Sequence, residues 1–201
     1  MLMNAELKNF SLSGKILDLG AGRKRSSYLS FIKLKELYEI ISVDLLPDRE
    51  PDIIADLEKS LPIQNFEYDH VLCFNLLEHI YEHKGLVREA RRVLKSGGRL
   101  LGYVPFLLKF HPDPNDYFRY TEQGLKKILE EAGFKEVKII FIGAGALTAG
   151  WSQVDYFVPK FFRWLVTYLV LFLDRIVLKL KPVFRNKYAL GYIFVATCPK
   201  D

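Results

Sequence analysis

The stretch Lys15-Ile16-Leu17-Asp18-Leu19-Gly20-Ala21-Gly22 restricts what this chain can fold into more than any other: an apolar, strand-forming run stops at two glycines. Glycine at 20 and 22 lets the backbone bend sharply and approach a ligand closely, because neither residue carries a Cβ. Asp18 adds an acceptor at the carboxyl end of the strand. In open α/β folds ligands bind at that end. The dinucleotide fingerprint Gly-x-Gly-x-x-Gly needs a third glycine at 25, and that position is Arg25. A nicotinamide-dependent dehydrogenase is therefore disfavoured.

The elements that follow alternate. Ser26 or Ser27 caps a predicted helix running to about Tyr38, with Leu29, Ile32 and Leu37 turned inward. Ile40 to Val43 reads as a second strand ending at Asp44, about twenty residues past the glycines, the separation that brings a carboxylate beside a bound ribose. Ile53 to Ala55 is a short third strand, and Tyr68 to Phe74 is a fourth, nearly all apolar as a parallel strand covered on both faces should be. A helix over 86–94 ends at Lys95-Ser96-Gly97-Gly98, and a fifth strand runs from Arg99 to Val104. Thr121 to Ala132 reads as a helix with Leu125, Ile128 and Leu129 inside. Two last strands, Lys135 to Ile142 and Ala189 to Cys198, suit an antiparallel pair.

Asp18-x-Gly20-x-Gly22 resembles the first motif of class I methyltransferases that use S-adenosylmethionine, with Lys24 in place of that motif's last glycine. The run Glu89-Ala90-Arg91-Arg92-Val93-Leu94-Lys95-Ser96-Gly97-Gly98-Arg99-Leu100 resembles the signature preceding the family's fifth strand, in the right order about seventy residues after the glycines. The resemblance covers roughly 15–143 and the last strand. It implies an α/β fold: a Rossmann-like three-layer sandwich around a mostly parallel seven-stranded sheet with an antiparallel last strand. It also implies S-adenosylmethionine as cofactor, held by Asp18, Gly20, Ala21 and Gly22 at the bend and by Asp44 and Leu45 at the ribose. Asp56 and Leu57 resemble the loop that holds the adenine, while Phe74, Asn75 and Leu76 would border the methionine half. The Leu77-Glu78-His79 sequence is common in the family and makes His79 a substrate-contact candidate. The expected activity is methyl transfer to a small-molecule, lipid-linked or saccharide-linked acceptor. The alternative is a non-catalytic relative kept as a membrane or partner adaptor. No metal is required by this scheme, and no residues stand at metal-ligand spacing in the sequence.

Beyond the fifth strand comes His111-Pro112-Asp113-Pro114-Asn115-Asp116-Tyr117-Phe118-Arg119-Tyr120-Thr121. This loop belongs over the ligand-binding edge, so the acceptor is expected there. Tyr117, Phe118 and Tyr120 suit the walls of a pocket, since an aromatic face attracts a sulfonium. His111 or Asp116 is the expected proton acceptor, and Arg119 suits an acidic group on the substrate. The bland alternative is that Asp116 and Arg119 pair with each other and merely fix the loop.

One segment departs from the family's pattern. The chain reads as a single domain over 1–201 with a helical insertion over 144–187, in which Pro159 can start a long helix and Pro182 stop it. Arg163, Thr167, Asp174 and Lys181 fall on one narrow line of that helix, leaving most of its circumference apolar. Between Lys160 and Lys187 stand seven basic residues and one acid, so the net charge of +5 is concentrated there and the rest is near neutral. That distribution argues against nucleic acid as partner. Arg163, Asp174 and Arg175 interrupt the apolar run, which disfavours a membrane span. Peripheral membrane contact through 159–182, packing against the domain, and a homodimer contact all suit the surface. No secretory signal precedes Lys15, so the expected location is cytoplasmic, free or peripheral at the membrane. Cys73 and Cys198 read as small buried hydrophobes.

Overall fold

The computed structural model describes residues 2–22, 25–184 and 186–200. The Lys24 departure from the glycine motif and Arg185 of the basic segment lie outside the described residues. In chain order the elements are α1 (Leu2–Leu7), β1 (Ser11–Leu19), β2 (Lys33–Asp44), β3 (Ile53–Ile54), β4 (Tyr68–Phe74), α2 (His83–Val93) and β5 (Leu94–Pro105). Then follow α3 (Glu122–Glu131), β6 (Lys135–Ile142), α4 (Ala146–Val154), α5 (Lys160–Leu180) and β7 (Gly191–Thr197).

The seven strands form one sheet in the order β3-β2-β1-β4-β5-β7-β6. Strands β1 to β5 pair in parallel, whereas β7 runs antiparallel to both of its neighbours. This is the mostly parallel seven-stranded sheet with an antiparallel last strand that the resemblance implies. Side chains alternate across it, as strand geometry demands. Leu17 and Leu19 of β1 join Val71, Leu86, Val87, Leu125 and Leu129 in one buried cluster, under α2 and α3. Ile16, Leu72, Phe74 and Ile193 point the other way and meet Leu7, Tyr28 and Leu29.

The expected helix over 26–38 is corrected. Only a 3-10 turn, Ser27–Phe31, forms there, and β2 has begun by Lys33. Residues 33–39 carry helix-forming side chains, yet pairing with β1 from Ser11↔Lys33 onward satisfies the backbone in a way that no local helix improves. Leu37, expected inside, is 92% exposed and sits at φ 62°. The Ser26 hydroxyl does not cap the turn; it donates to Asp18 Oδ2 at 2.8 Å and to the Ala21 carbonyl at 2.9 Å. The α2 helix also ends directly in β5, so Lys95 to Gly98 belong to a strand whose Gly97 takes a left-handed φ of 72°.

Between β6 and β7 lies the helical hairpin of α4 and α5. Pro159 precedes the first residue of α5 and Pro182 follows its last turn. Among the described residues, no helix is long and apolar enough to cross a membrane.

Candidate active site

A cavity of about 350 Å³ opens at the carboxyl ends of β1, β2 and β4. Its floor is the glycine bend. Gly20 and Gly22 take left-handed φ values of 65° and 72°, the region a Cβ disfavours. A Cβ at Gly20 would press within 2.7 Å of the Leu76 side chain; one at Gly22 would meet no protein atom. Hydrogen bonds from the Gly20 and Ala21 amides to the Val43 carbonyl, at 2.9 and 3.3 Å, tie the bend to β2.

Asp44 ends β2 and faces this bend. Its Oδ2 accepts from the Gly22 amide at 2.9 Å and its Oδ1 from the Leu46 amide at 3.1 Å. Arg49, which sequence reasoning missed, stands 3.4 Å from Oδ2 and also donates to Asp113 at 2.8 Å. It closes one wall of the cavity. Leu45, Asp56, Leu57, Asn75 and Leu76 line the same cavity, together with His79, Ile80 and Tyr117. Asp56 Oδ1 accepts from the Glu58 amide at 3.0 Å, and this bond with the Lys59 ammonium at 3.1 Å holds its carboxyl below the usual range. Two carboxylates beside apolar Leu45, Leu57 and Ile80 can accept from ribose hydroxyls and from an exocyclic amine while a purine packs on the hydrocarbon.

Asp18 takes a different place from the one expected. It does not line the cavity but is fully buried beneath the bend, accepting from Ser26 and Tyr28. Burial pushes its carboxyl up to about 6, against the two hydroxyl donors that favour the charged form. Its work is to pin the residues after the bend. Ala21 and Phe74 are also buried and do not line the cavity.

The loop over the sheet edge divides in two. Tyr117 is exposed at the cavity wall, its amide donating to the Glu78 carbonyl at 2.7 Å and its ring edge-on to Tyr81 at 5.4 Å. Phe118 and Tyr120 instead turn towards His83, with ring centroids at 4.6 and 5.5 Å, and do not line the cavity. Asp116 is corrected as proton acceptor. Its side chain is 1% exposed and bound by Arg119 and by the His111 amide at 2.9 Å, and the guanidinium holds its carboxyl far below the usual range. Such a group has little appetite for a proton. Arg119 is corrected as a substrate clamp for the same reason, since its donors go to Asp116, to the Leu108, Lys109 and Phe118 carbonyls and, at 3.3 Å, to His111 Nδ1.

His111 keeps a side chain 32% exposed and lies edge-on to His79 at 5.1 Å. Beneath both is Glu78, which sequence reasoning passed over. Glu78 is fully buried, and neither of its carboxylate oxygens has a hydrogen-bond partner. Burial pushes its carboxyl up to about 7. The sequence offers no metal-ligand spacing, yet the fold brings donor atoms of Glu78, His79 and His111 within 4.8 Å of one another. The one signal available from the sequence was an acid inside an apolar Leu-Leu-Glu-His-Ile run.

The family described as "Methyltransferase domain" matches residues 17–102. An uncharacterised protein of Methanocaldococcus jannaschii is 29% identical over 192 residues, covering 90% of this chain and 78% of that one. A probable S-adenosylmethionine-dependent methyltransferase of Mycolicibacterium smegmatis is 33% identical over 93 residues, 42% of this chain and 36% of that protein. Among solved structures, a SAM-dependent methyltransferase from Archaeoglobus fulgidus superposes with a TM-score of 0.62 at 19% identity, covering 98% of this chain and 93% of the other. A possible histamine N-methyltransferase from Thermotoga maritima gives 0.64 at 16% identity, with 98% and 87% covered.

Proposed function

We infer from a chain that is a class I S-adenosylmethionine-dependent methyltransferase in domain match, relatives and fold that its acceptor is an amphipathic, lipid-linked molecule met at a membrane surface. In this reading Asp44 takes the ribose hydroxyls, Asp56 the adenine amine with Leu57 against the ring, and the Gly20 to Gly22 bend with Asn75 and Leu76 borders the methionine half. When bound, the cofactor supplies an electrophilic methyl carbon on a sulfonium. The protein's task is then to align the acceptor at about 3–3.5 Å and to keep water out. Tyr117 and His79 are the side chains of the cavity wall suited to that end. His111 stands one ring further out and is the base this reading retains for a hydroxyl acceptor.

The observation that carries the lipid-linked acceptor is the orientation of α5. Its inward line is polar: Arg163 donates to the Val158 and Tyr156 carbonyls, Thr167 accepts from the Trp151 indole at 2.9 Å, and Asp174 accepts from the Leu147 and Thr148 amides at 3.1 and 2.7 Å. Its outward side is apolar, with Phe161, Trp164, Leu165, Tyr168, Leu169 and Phe172 all more than half exposed. Exposed Lys160, Arg175, Lys179 and Lys181 accompany that face. An apolar face with basic flanks suits burial in the headgroup boundary of an anionic leaflet, each Lys or Arg adding about 1 kcal/mol near the surface. The hairpin also touches the acceptor loop, through Gln153 to the Leu107 carbonyl at 3.2 Å and Lys109 over the Tyr156 ring at 4.4 Å. These two contacts join the hairpin to the segment that leads into the loop this reading gives to the acceptor.

The test is a transfer assay with methyl-labelled S-adenosylmethionine on a cell extract divided into organic-soluble and water-soluble fractions, run beside flotation on vesicles containing anionic lipid. Label in the organic-soluble fraction and flotation with anionic vesicles are expected. Label confined to water-soluble compounds, or a chain that ignores vesicles and sediments as a dimer through α5, would overturn the lipid-linked reading.

A further inference from the structure

The cluster at Glu78 has a feature that methyl transfer by alignment alone leaves unexplained. A fully buried carboxylate with neither oxygen hydrogen-bonded is a costly arrangement, because a charge taken out of water needs a partner. Two imidazoles face it. His79 Nε2 lies 3.9 Å and His111 Nε2 3.8 Å from the same atom, Glu78 Oε1. Neither distance is a hydrogen bond.

The far side of each ring is already engaged. His79 Nδ1 is bonded to the Asn115 carbonyl. His111 Nδ1 lies 3.2 Å from both the Lys109 carbonyl and Asp116 Oδ2. The Asn115 carbonyl only accepts, so it selects the Nδ1–H tautomer of His79 and leaves that ring's Nε2 lone pair free on the side of Glu78, whereas His111 Nδ1 stands among two acceptors and the donor Arg119 Nη2 at 3.3 Å, so its proton can sit on either nitrogen and a metal ion can take Nε2. Rings held in this way are what metal sites use to orient their histidines. The positive charge nearest to His111 is Arg119, and Asp116 neutralises it.

We propose that Glu78, His79 and His111 form a two-histidine, one-carboxylate site for a divalent transition-metal ion beside the cofactor cavity. Nitrogen and oxygen ligands at about 2.0–2.2 Å put neighbouring donors about 3–3.5 Å apart, so the Glu78–His79 and Glu78–His111 separations of 3.9 and 3.8 Å must close by less than about 1 Å and the widest separation in the cluster, within 4.8 Å, by less than about 2 Å. Three protein ligands leave coordination positions open. His79 lines the cavity whereas Glu78 is buried behind it. With the ion bound, both nitrogens of His111 are engaged and it no longer serves as the free base named above; the open positions would then suit an anionic or hydroxyl oxygen of the acceptor, and binding of the ion itself does not depend on that reading.

The experiment is calorimetric titration of the full, chelator-stripped chain with Zn²⁺ in the absence of S-adenosylmethionine. One equivalent is expected to bind, with affinity at least tenfold weaker in Glu78→Gln and in His111→Ala, and unchanged in His83→Ala, a histidine outside the cluster. Because a core variant can misfold, a second measurement uses the wild-type chain: Zn²⁺ is expected to protect His79 and His111 from diethyl pyrocarbonate while His83 reacts as before. Substoichiometric binding, variants that bind like wild type, or equal modification of His79 and His111 with and without Zn²⁺ would overturn the site. A separate titration with S-adenosylhomocysteine keeps failure of the metal site apart from failure of the methyltransferase reading.

Discussion

Helices α3 and α5 bury opposite kinds of residue. In α3, Leu125 and Leu129 go inside and the Lys and Glu side chains stay in water, with Thr121 capping the first turn through its bond from the Gly124 amide. In α5, Asp174 is the buried residue, and Phe, Leu, Tyr and Trp stand outside. The first pattern belongs to a helix that serves the core of its own domain. The second belongs to a helix fastened by polar anchors so that its apolar side is left for something else. The sheet with its flanking helices therefore builds the cavity at the strand ends, while the hairpin of α4 and α5 presents a surface.

Core truncation separates the two regions most strongly. Leu125→Ala is expected to destabilise the chain by about 2–5 kcal/mol in chemical denaturation, as other buried leucines do. Leu169→Ala in α5 should stay within about 0.5 kcal/mol. Equal losses from the two would mean that the outer face of α5 is covered within the monomer.

The buried carboxylates offer the next contrast. Asp18 is raised from 3.8 to about 6, so across that window the native state holds a proton that the unfolded chain has released. Its contribution to stability is greatest in acid and declines as pH rises through 6. The decline amounts to about 3 kcal/mol at roughly 1.4 kcal/mol per unit. In Asp18→Asn this decline should vanish, which denaturation of both proteins at several pH values between 4 and 7 will reveal as a growing difference. A constant difference would contradict the raised carboxyl.

Asp174→Ala removes two charge-assisted bonds to the start of α4, each worth about 1.5–3 kcal/mol. Hydrogen-exchange protection over 146–154 should fall by tenfold or more, with that of β1 and β4 unchanged. A loss spread evenly over the sheet would show that hairpin and body open together. The smallest effect on stability and the sharpest on location is expected of Phe172→Glu: little change in denaturation midpoint, but tenfold or more weaker flotation on anionic vesicles, since a buried aromatic contributes about 1.5–3 kcal/mol. Flotation equal to wild type would remove the membrane from the account.

Much of the sheet was legible in the sequence. Seven consecutive residues from Tyr68 to Phe74 form β4 with the bounds the apolar run suggests, and Lys135 to Ile142 do the same for β6. What failed was local periodicity standing against distant pairing. Leu29, Ile32 and Leu37 keep a helical spacing, but β1 supplies hydrogen-bond partners that no window around residue 33 reveals. The polar line of Arg163, Thr167 and Asp174 was visible as well. Its inward direction was not, because amphipathic patterns carry no sign until something else is packed against them. Lys181, on the same line, falls beyond the last turn and is exposed.

The site divides in the same way. Asp44 ends its strand and Gly20, Gly22, Asp56 and Asn75 follow theirs, so chain order alone brings them to one cavity edge. Asp18 stands one residue before the end of its strand, where side-chain alternation turns it beneath the bend. Glu78, His79 and His111 meet because a loop returns from β5 across the end of β4, and no sequence spacing encodes that return.

The central claim is that adenosine is held between the glycine bend and Asp44. Calorimetric titration of wild type and Asp44→Ala with S-adenosylhomocysteine tests it directly. One site per wild-type chain and at least tenfold weaker binding by the variant are predicted. No binding to the wild-type chain at millimolar nucleoside, or the same affinity in both proteins, would contradict it.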